Sequence, residues 1–236
     1  MTFSWKRIYA IFNKDMKDLS KNYFVSSIIV LPILMAFLYG GMYEMGLELH
    51  YMIINLTLAS VTAFIQCAVI AEEKEKHTLR GLMLSPASLT EILTGKSLVS
   101  IVLTVVTLIL CAMITGYEPR NFALIAIAIF ISIIFYIALG TILGLLSRTV
   151  VEASVIILPV IFLFGFGSLL MVLAEKYPAI SFVEYLPNIQ IIELAYEVEL
   201  GLGFVDMWDH FVVLLVWALV ASLFAAFVYK KREIDK

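Results

Sequence analysis

The sequence predicts an all-α membrane protein with six transmembrane helices, and three observations carry that prediction. Of 236 residues, 62% are hydrophobic and only 15% charged, a balance foreign to soluble domains. Every charged residue lies outside six apolar runs, 22–43, 51–71, 97–117, 121–147, 153–174 and 211–229, the shortest of them 19 residues long. A helix needs about 20 residues to cross a hydrocarbon core of roughly 30 Å, so each run can span. The basic residues are also lopsided. Segments 1–21, 72–96, 148–152 and 230–236 hold 14 of the 16 Lys and Arg, leaving Arg120 and Lys176 for the other side. The positive-inside rule therefore puts both termini in the cytoplasm, and acidic residues leave the inner side at +5 and the outer at −8. Residues 1–236 read as one transmembrane domain, with too little chain outside the runs for a soluble catalytic domain.

Along the chain, the head (1–21) repeats Trp5, Ile8, Tyr9, Phe12, Met16 and Leu19 at helical spacing, with Lys6, Arg7, Lys14, Lys17 and Lys21 over the rest. This predicts an amphipathic helix lying in the inner membrane interface, its basic residues toward anionic headgroups. The first apolar run is too long for a signal-peptide core and lacks a small-x-small site before Glu44, so the head is expected to be retained. Pro32 and Pro159 predict kinks in the first and fifth runs. The second run aligns Asn55, Ala59, Thr62 and Gln66 on one face, which must meet other helices, a pathway or a second subunit rather than lipid. Asn55, Thr62 and Gln66 are thus candidate pathway or dimer-interface residues. Gly140 and Gly144 in the fourth run offer a small-residue face for close helix packing. Cys67 and Cys111 sit at depths differing by roughly 15 Å, which rules out a disulfide between them.

Between the fifth and sixth runs, 175–210 forms an external, interfacial or re-entrant segment. Within it Pro187–Leu200 carries Ile191, Leu194, Ala195 and Val198 on one face, predicting a short amphipathic helix at the outer leaflet.

Catalytic motifs are missing. Gly95-Lys96-Ser97 ends like a phosphate-binding loop, but the required first glycine is Thr90 and no strand precedes it. Glu72-Glu73 approximates the Glu-Glu-x-x-x-Arg signature of intramembrane CAAX-type proteases, yet His77 occupies the arginine position. His50, His77 and His210 lie at loop positions and form no metal-ligand motif, so no catalytic, cofactor-binding or metal-binding residues are expected.

The informative segment is the cytoplasmic loop 72–96. A charged helix end, with Glu72 to Lys76 read as solvated, leads to an apolar cluster of Leu79, Leu82 and Met83. Ser85-Pro86 stops that turn, and Ser88 or Thr90 caps the next helix with Glu91 in its first turn. An apolar knob on a loop standing in water calls for a partner. The pattern Glu73-x-Glu75-Lys76-x-Thr78-Leu79-x-x-Leu82-x-x-Ser85-Pro86, followed by Glu91-Ile92-Leu93-x-Gly95-Lys96, resembles the hallmark loop of type-2 ATP-binding-cassette (ABC) transporter permeases. His77 stands where that family commonly has Gly, and Pro187-Asn188 where it often has Asn-Pro.

The resemblance implies a permease subunit of an ABC exporter that dimerises, as a homodimer or with a related chain, and docks two cytoplasmic ATPase subunits. Those partners would bind ATP and Mg2+; this chain would need no cofactor and no nucleic acid. Glu73, Glu75, Thr78, Leu79, Leu82, Met83, Ser85 and Pro86 would form the ATPase-coupling loop-helix. The expected location is the cell membrane among its lipids, a bacterial plasma membrane, and the cargo a drug, amphipathic peptide or lipid-like compound. The negative outer face would favour a cationic amphiphile. On the residues alone, an intramembrane enzyme and a membrane receptor or immunity protein without ATP-driven flux remain alternatives. The charge asymmetry makes a direct topology prediction. Cysteines at Glu48, Glu118 and Glu184 should react with an impermeant thiol reagent in intact cells and those at Lys14, Lys76 and Lys236 should not; the reverse pattern would invert the orientation.

Overall fold

The structure is a computed structural model describing residues 4–41, 45–76, 78, 85 and 87–234. All regular structure among them is helical: α1 (Trp5–Lys21), α2 (Tyr23–Gly40), α3 (Leu47–Glu75), α4 (Leu89–Thr115), α5 (Phe122–Leu146), α6 (Val150–Gly165), α7 (Gly167–Lys176), α8 (Pro187–Leu200) and α9 (Trp208–Ile234). Helices α2 to α5 and α9 are long and apolar enough to cross a membrane, and α6 with α7, bent by 59°, makes a sixth candidate span if counted as one.

Helix α3 is the axis. Its most apolar stretch is wholly buried, and α2, α4, α5 and α6 pack around it. A chain that folds in lipid gains little from moving apolar groups out of hydrocarbon, so close backbone approach and interhelical hydrogen bonds must hold the bundle. Both occur on α3. A Cβ at Gly144 would lie 2.6 Å from the Cys67 carbonyl oxygen and 2.8 Å from Ile70 Cβ, and Gly140 faces the Ala63 carbonyl in the same way. Gln66 bridges two neighbours, donating to Thr141 Oγ1 of α5 at 3.0 Å and accepting from Ser100 Oγ of α4 at 3.0 Å. Thr62 pairs with Thr104 of α4 at 2.8 Å. A π-helical turn, Leu58–Ala63, lies between Asn55 and Gln66.

The sixth candidate span breaks later than the sequence predicts. Pro159 is accommodated near the start of a short helical piece, and the bend falls at Phe166, after the π-helical stretch Ile161–Gly165. The π-helical stretch is itself a known cause of kinking, and Asn188 lies against it: its side-chain amide donates to the Leu163 carbonyl at 3.4 Å, while its backbone carbonyl accepts from Asn55 Nδ2 at 2.9 Å. A polar side chain inserted beside a helical turn is a recognised source of a sharp kink.

Helix α8 covers the predicted extent, with Ile191, Leu194, Ala195 and Val198 all at most 1% exposed. It differs from a helix resting on lipid, which would bury one face only: Pro187–Ile192 is buried throughout, wedged against α3, α5 and α9. Gln190 Oε1 meets His210 Nδ1 at 2.8 Å, and the Arg120 guanidinium donates to the Glu199 carbonyl at 3.3 Å near the helix C-terminus, where a cation suits the dipole.

The head helix also departs from expectation. Its buried face is Ile8, Ile11, Asp15 and Leu19, set against α4, while Trp5 and Tyr9 are exposed. Gly95 permits this contact, since a Cβ there would stand 2.9 Å from Ile11 Cβ. Cys67 and Cys111 are free and buried, as their depths require.

Gly144→Val should force α3 and α5 apart and lower stability by about 1–3 kcal/mol, the usual cost of overpacking. Gly41→Ala, where the added carbon meets nothing within 4 Å, should stay within about 0.5 kcal/mol of wild type. Thermal exposure of the two buried thiols to a fluorogenic maleimide in detergent measures both.

Candidate functional site

The charges that the sequence gathers around 72–96 converge on the base of the loop, where α1, α3 and α4 meet. Lys96, on the second turn of α4, is fully buried, and its Nζ donates to Asp15 Oδ2 of α1 at 2.9 Å and to Glu73 Oε1 of α3 at 3.1 Å. Asp15 and Glu73 are 4% and 3% exposed. Lys14 completes the cluster, pairing with Glu73, with Asp15 at 3.3 Å and with Asp18 at 3.5 Å. Burial works against the Lys14 charge, but Glu73 and Asp15 outweigh it and hold its ammonium well above the usual lysine range. Two buried carboxylates thus face two ammonium groups, the arrangement by which buried charge is tolerated.

A second clamp closes the exit of the loop. Glu91 accepts two bonds from Arg7, Nη2 to Oε1 at 2.7 Å and Nε to Oε2 at 3.0 Å, the planar fork that makes Arg–carboxylate pairs specific. The same carboxylate takes the backbone N–H groups of Ser4 and Ser88. Ser88 in return accepts from the Glu91 N–H at 3.3 Å, so a full capping box starts α4.

The remaining members of the run Glu72 to Lys76 make bonds as well, while Glu75 and Lys76 keep the solvent exposure read from the sequence. Lys74 Nζ donates to the carbonyls of Leu145, at 2.6 Å, and Ser147, satisfying acceptors at the end of α5. Glu75 Oε2 accepts from the Val150 N–H at 2.8 Å, at the start of α6. Lys76 bonds Glu72 at 2.7 Å and approaches Asp18 at 3.9 Å. One turn of α3 therefore fixes the inner ends of α1, α4, α5 and α6. Basic head residues expected to face headgroups are turned inward for the same reason: Arg7 and Lys14 answer carboxylates that would otherwise be buried without partners.

Of the coupling residues read from the sequence, Glu73 lies inside this cluster, Glu75 at the α6 start, and Thr78 donates to Glu73. Ser85 accepts from the Ala87 N–H at 3.2 Å. Leu79, Leu82, Met83 and Pro86 lie outside the described residues. Asn55, Thr62 and Gln66 are all buried, with their hydrogen bonds made to other helices of this chain, and Gly140 and Gly144 face α3. Sequence reasoning missed Asp15, although a signal was present. It is a carboxylate on the apolar face of a basic helix, between Ile11 and Leu19, and such a group demands a buried cation.

Apolar helices of spanning length packed around a wholly buried α3 define a multi-pass membrane protein. The chain matches the family described as ABC-2 family transporter protein over residues 18–227, and it belongs to that family. It is accordingly an ABC transporter permease, a transport subunit rather than an enzyme. Comparison with curated proteins gave no match. The family match begins at Asp18, so Arg7, Lys14 and Asp15, the head-helix share of the two clamps, precede it.

Lys96→Met would leave Asp15 and Glu73 to share the partly exposed Lys14. The expected loss is about 3–5 kcal/mol, as for other half-removed buried ion pairs, read from thermal or urea unfolding in detergent. Lys96→Arg should recover part of it. Arg7→Ala should cost less, because Ser4 and Ser88 still hold Glu91.

Proposed function

We propose that this permease is the membrane subunit of an exporter in which two separate cytoplasmic ATPase subunits, binding ATP and Mg2+, drive outward transport along a pathway formed with a second permease chain. Both termini and the loop 72–96 lie in the cytoplasm, α6 with α7 counts as the fifth crossing, and α8 closes the outer end. The head helix lies along the inner interface with Trp5 and Tyr9 toward lipid. The cargo is a drug, amphipathic peptide or lipid-like molecule.

The observation that carries this reading is the pair of buried clamps on the two flanks of the loop. Glu73 and Lys96 stand at its entry and exit, and both grip α1 through Asp15 and Lys14. A partner pushing on the loop must either break those pairs, at about 3–5 kcal/mol, or move α1, α3 and α4 together. Displacement as a unit is the easier course. Because Glu73 also shares its turn with Lys74 and Glu75, the same push reaches the inner ends of α5 and α6. An ATPase closing beneath the loop would thus act on most of the bundle through one turn of α3.

The docking element is the apolar cluster Leu79, Leu82 and Met83. Burial of such side chains in a partner groove contributes roughly 1.5–3 kcal/mol each, so one charge there should release the partner. Leu82→Glu should leave the permease inserted and monodisperse, lose the co-purifying ATPase and abolish export. Thr94→Ala, at an exposed position on α4, is the control and should behave as wild type. Lys74 cannot serve as a control, since it holds the end of α5. Wild-type ATPase association and export in Leu82→Glu would remove the loop from the coupling route.

A further inference from the structure

A second site lies at the end of the bundle opposite the ion cluster. Helices α3, α4 and α5 enclose an apolar cavity of about 600 Å3, walled by Ile53 and Ile54 from α3, by Val105 to Ala112 along α4, and by Ile125 to Ile133 along α5. Val105, Ile109 and Phe130 on its walls are also open to the surroundings of the bundle, so the cavity is a groove reachable from the side. Its mouth is at the α4–α5 turn, where His50, Tyr117 and Glu118 contribute to the lining.

Three features specify an occupant. The first is length. The lining along α5, from Phe122 to Ile133, covers about 16 Å at 1.5 Å per residue, which equals about one leaflet of a 30 Å hydrocarbon core. The second is medium: a groove inside spanning helices meets acyl chains, and its apolar wall offers water nothing to bond. The third is the chemistry of the mouth. His50 is stacked on Tyr117, ring centroids 4.8 Å apart, and Tyr117 is itself fixed by Tyr51 through a 2.9 Å hydroxyl contact. His50 also donates a hydrogen bond to the Met45 backbone, which fixes its ring in the wall of the groove. Glu118 adds an exposed carboxylate, while the neighbouring Arg120 is turned away to the Glu199 carbonyl. The exposed carboxylate at the mouth is a charged hydrogen-bond acceptor, which suits a group bearing several N–H donors and a positive charge.

We propose that this groove binds a phospholipid with a primary-amine headgroup, one acyl chain lying between α4 and α5 and the ammonium held by Glu118. In the orientation given above the lipid comes from the outer leaflet. The site stands on the membrane embedding of α3 to α5 and does not require the transport reading, so it can be tested without an ATPase.

The test uses the full chain in phosphatidylcholine vesicles carrying a trace of photoreactive lipid, with a diazirine on the acyl chain and an ethanolamine, choline or glycerol headgroup. Cross-linked peptides are then mapped by mass spectrometry. The ethanolamine lipid should label the Ile109–Ala112 and Ala126–Ile129 walls about tenfold above the outward faces of α2 and α9, a difference of about 1.4 kcal/mol. Ala126→Trp, which fills the groove, should bring that labelling down to the level of those faces. Ile109→Trp, at a half-open wall position, gives a second blocking variant should the first fail to fold. Glu118→Gln should keep the acyl-chain labelling but erase the preference for ethanolamine over choline and glycerol. Labelling spread evenly over all lipid-facing helices, labelling unaffected by both tryptophans, or equal labelling by the three headgroups would each overturn the proposal. Failure of ATPase docking in Leu82→Glu would leave it untouched.

Discussion

One end of this bundle depends on a buried ion cluster centred on Lys96. Lys96 has no exposure to solvent, and its charge is tolerable only because Asp15 and Glu73 reach it from two other helices. The two carboxylates are compensated by Lys96 together with the more exposed Lys14, so these positions must assemble together. That requirement fixes how α1 lies across α4 and how far α3 extends before the chain leaves for the loop. The glycine at 95 serves the same end by allowing α1 to approach closely enough for Asp15 to reach in.

From that point rigidity spreads along α3. Its lower turn holds the ends of α5 and α6 through Lys74 and Glu75, and its middle is joined to α4 and α5 through Thr62 and Gln66. Single interhelical hydrogen bonds in membrane proteins contribute modestly, typically below about 2 kcal/mol. Their effect here is directional: each fixes the rotation of a neighbour about its own axis, which uniform apolar packing does poorly. A bundle organised on one axis can respond to force at one end as a body, and a permease driven from outside needs that property.

The opposite end is built differently. There α8 is wedged among α3, α5 and α9, its Asn188 held by Asn55 and entering the bend of α6 and α7. Polar contacts there join side chains, as between His210 and Gln190, and reach backbone carbonyls, as from Gln190 to Glu184, and an apolar groove opens beside them. A buried ion cluster thus lies at one end of the bundle and an apolar recess at the other.

The sequence by itself determined the class, the helix positions and the family. Run lengths, charge-free spans and the pattern from Glu73 to Lys96 are local properties, and local properties survive without tertiary contacts. The extent of α8, a capped start of α4 at Ser88 or Thr90 with Glu91 in its first turn, and the small face at Gly140 and Gly144 were legible for the same reason, and the fold chose Ser88 as the cap. What the sequence could not supply was the partner of each charge. A run such as Glu72 to Lys76 looks solvated when only its neighbours in the chain are considered, because pairings such as Asp15 with Lys96, 81 positions apart, have no trace in composition or period. The same holds for Asn188, whose place in the kink depends on Asn55, 133 positions away. Electrostatic pairing and close packing act between segments that only the folded bundle brings within a few ångströms, so the tertiary structure alone decided which residues form the buried clamps, where the bent span breaks and which walls enclose the groove.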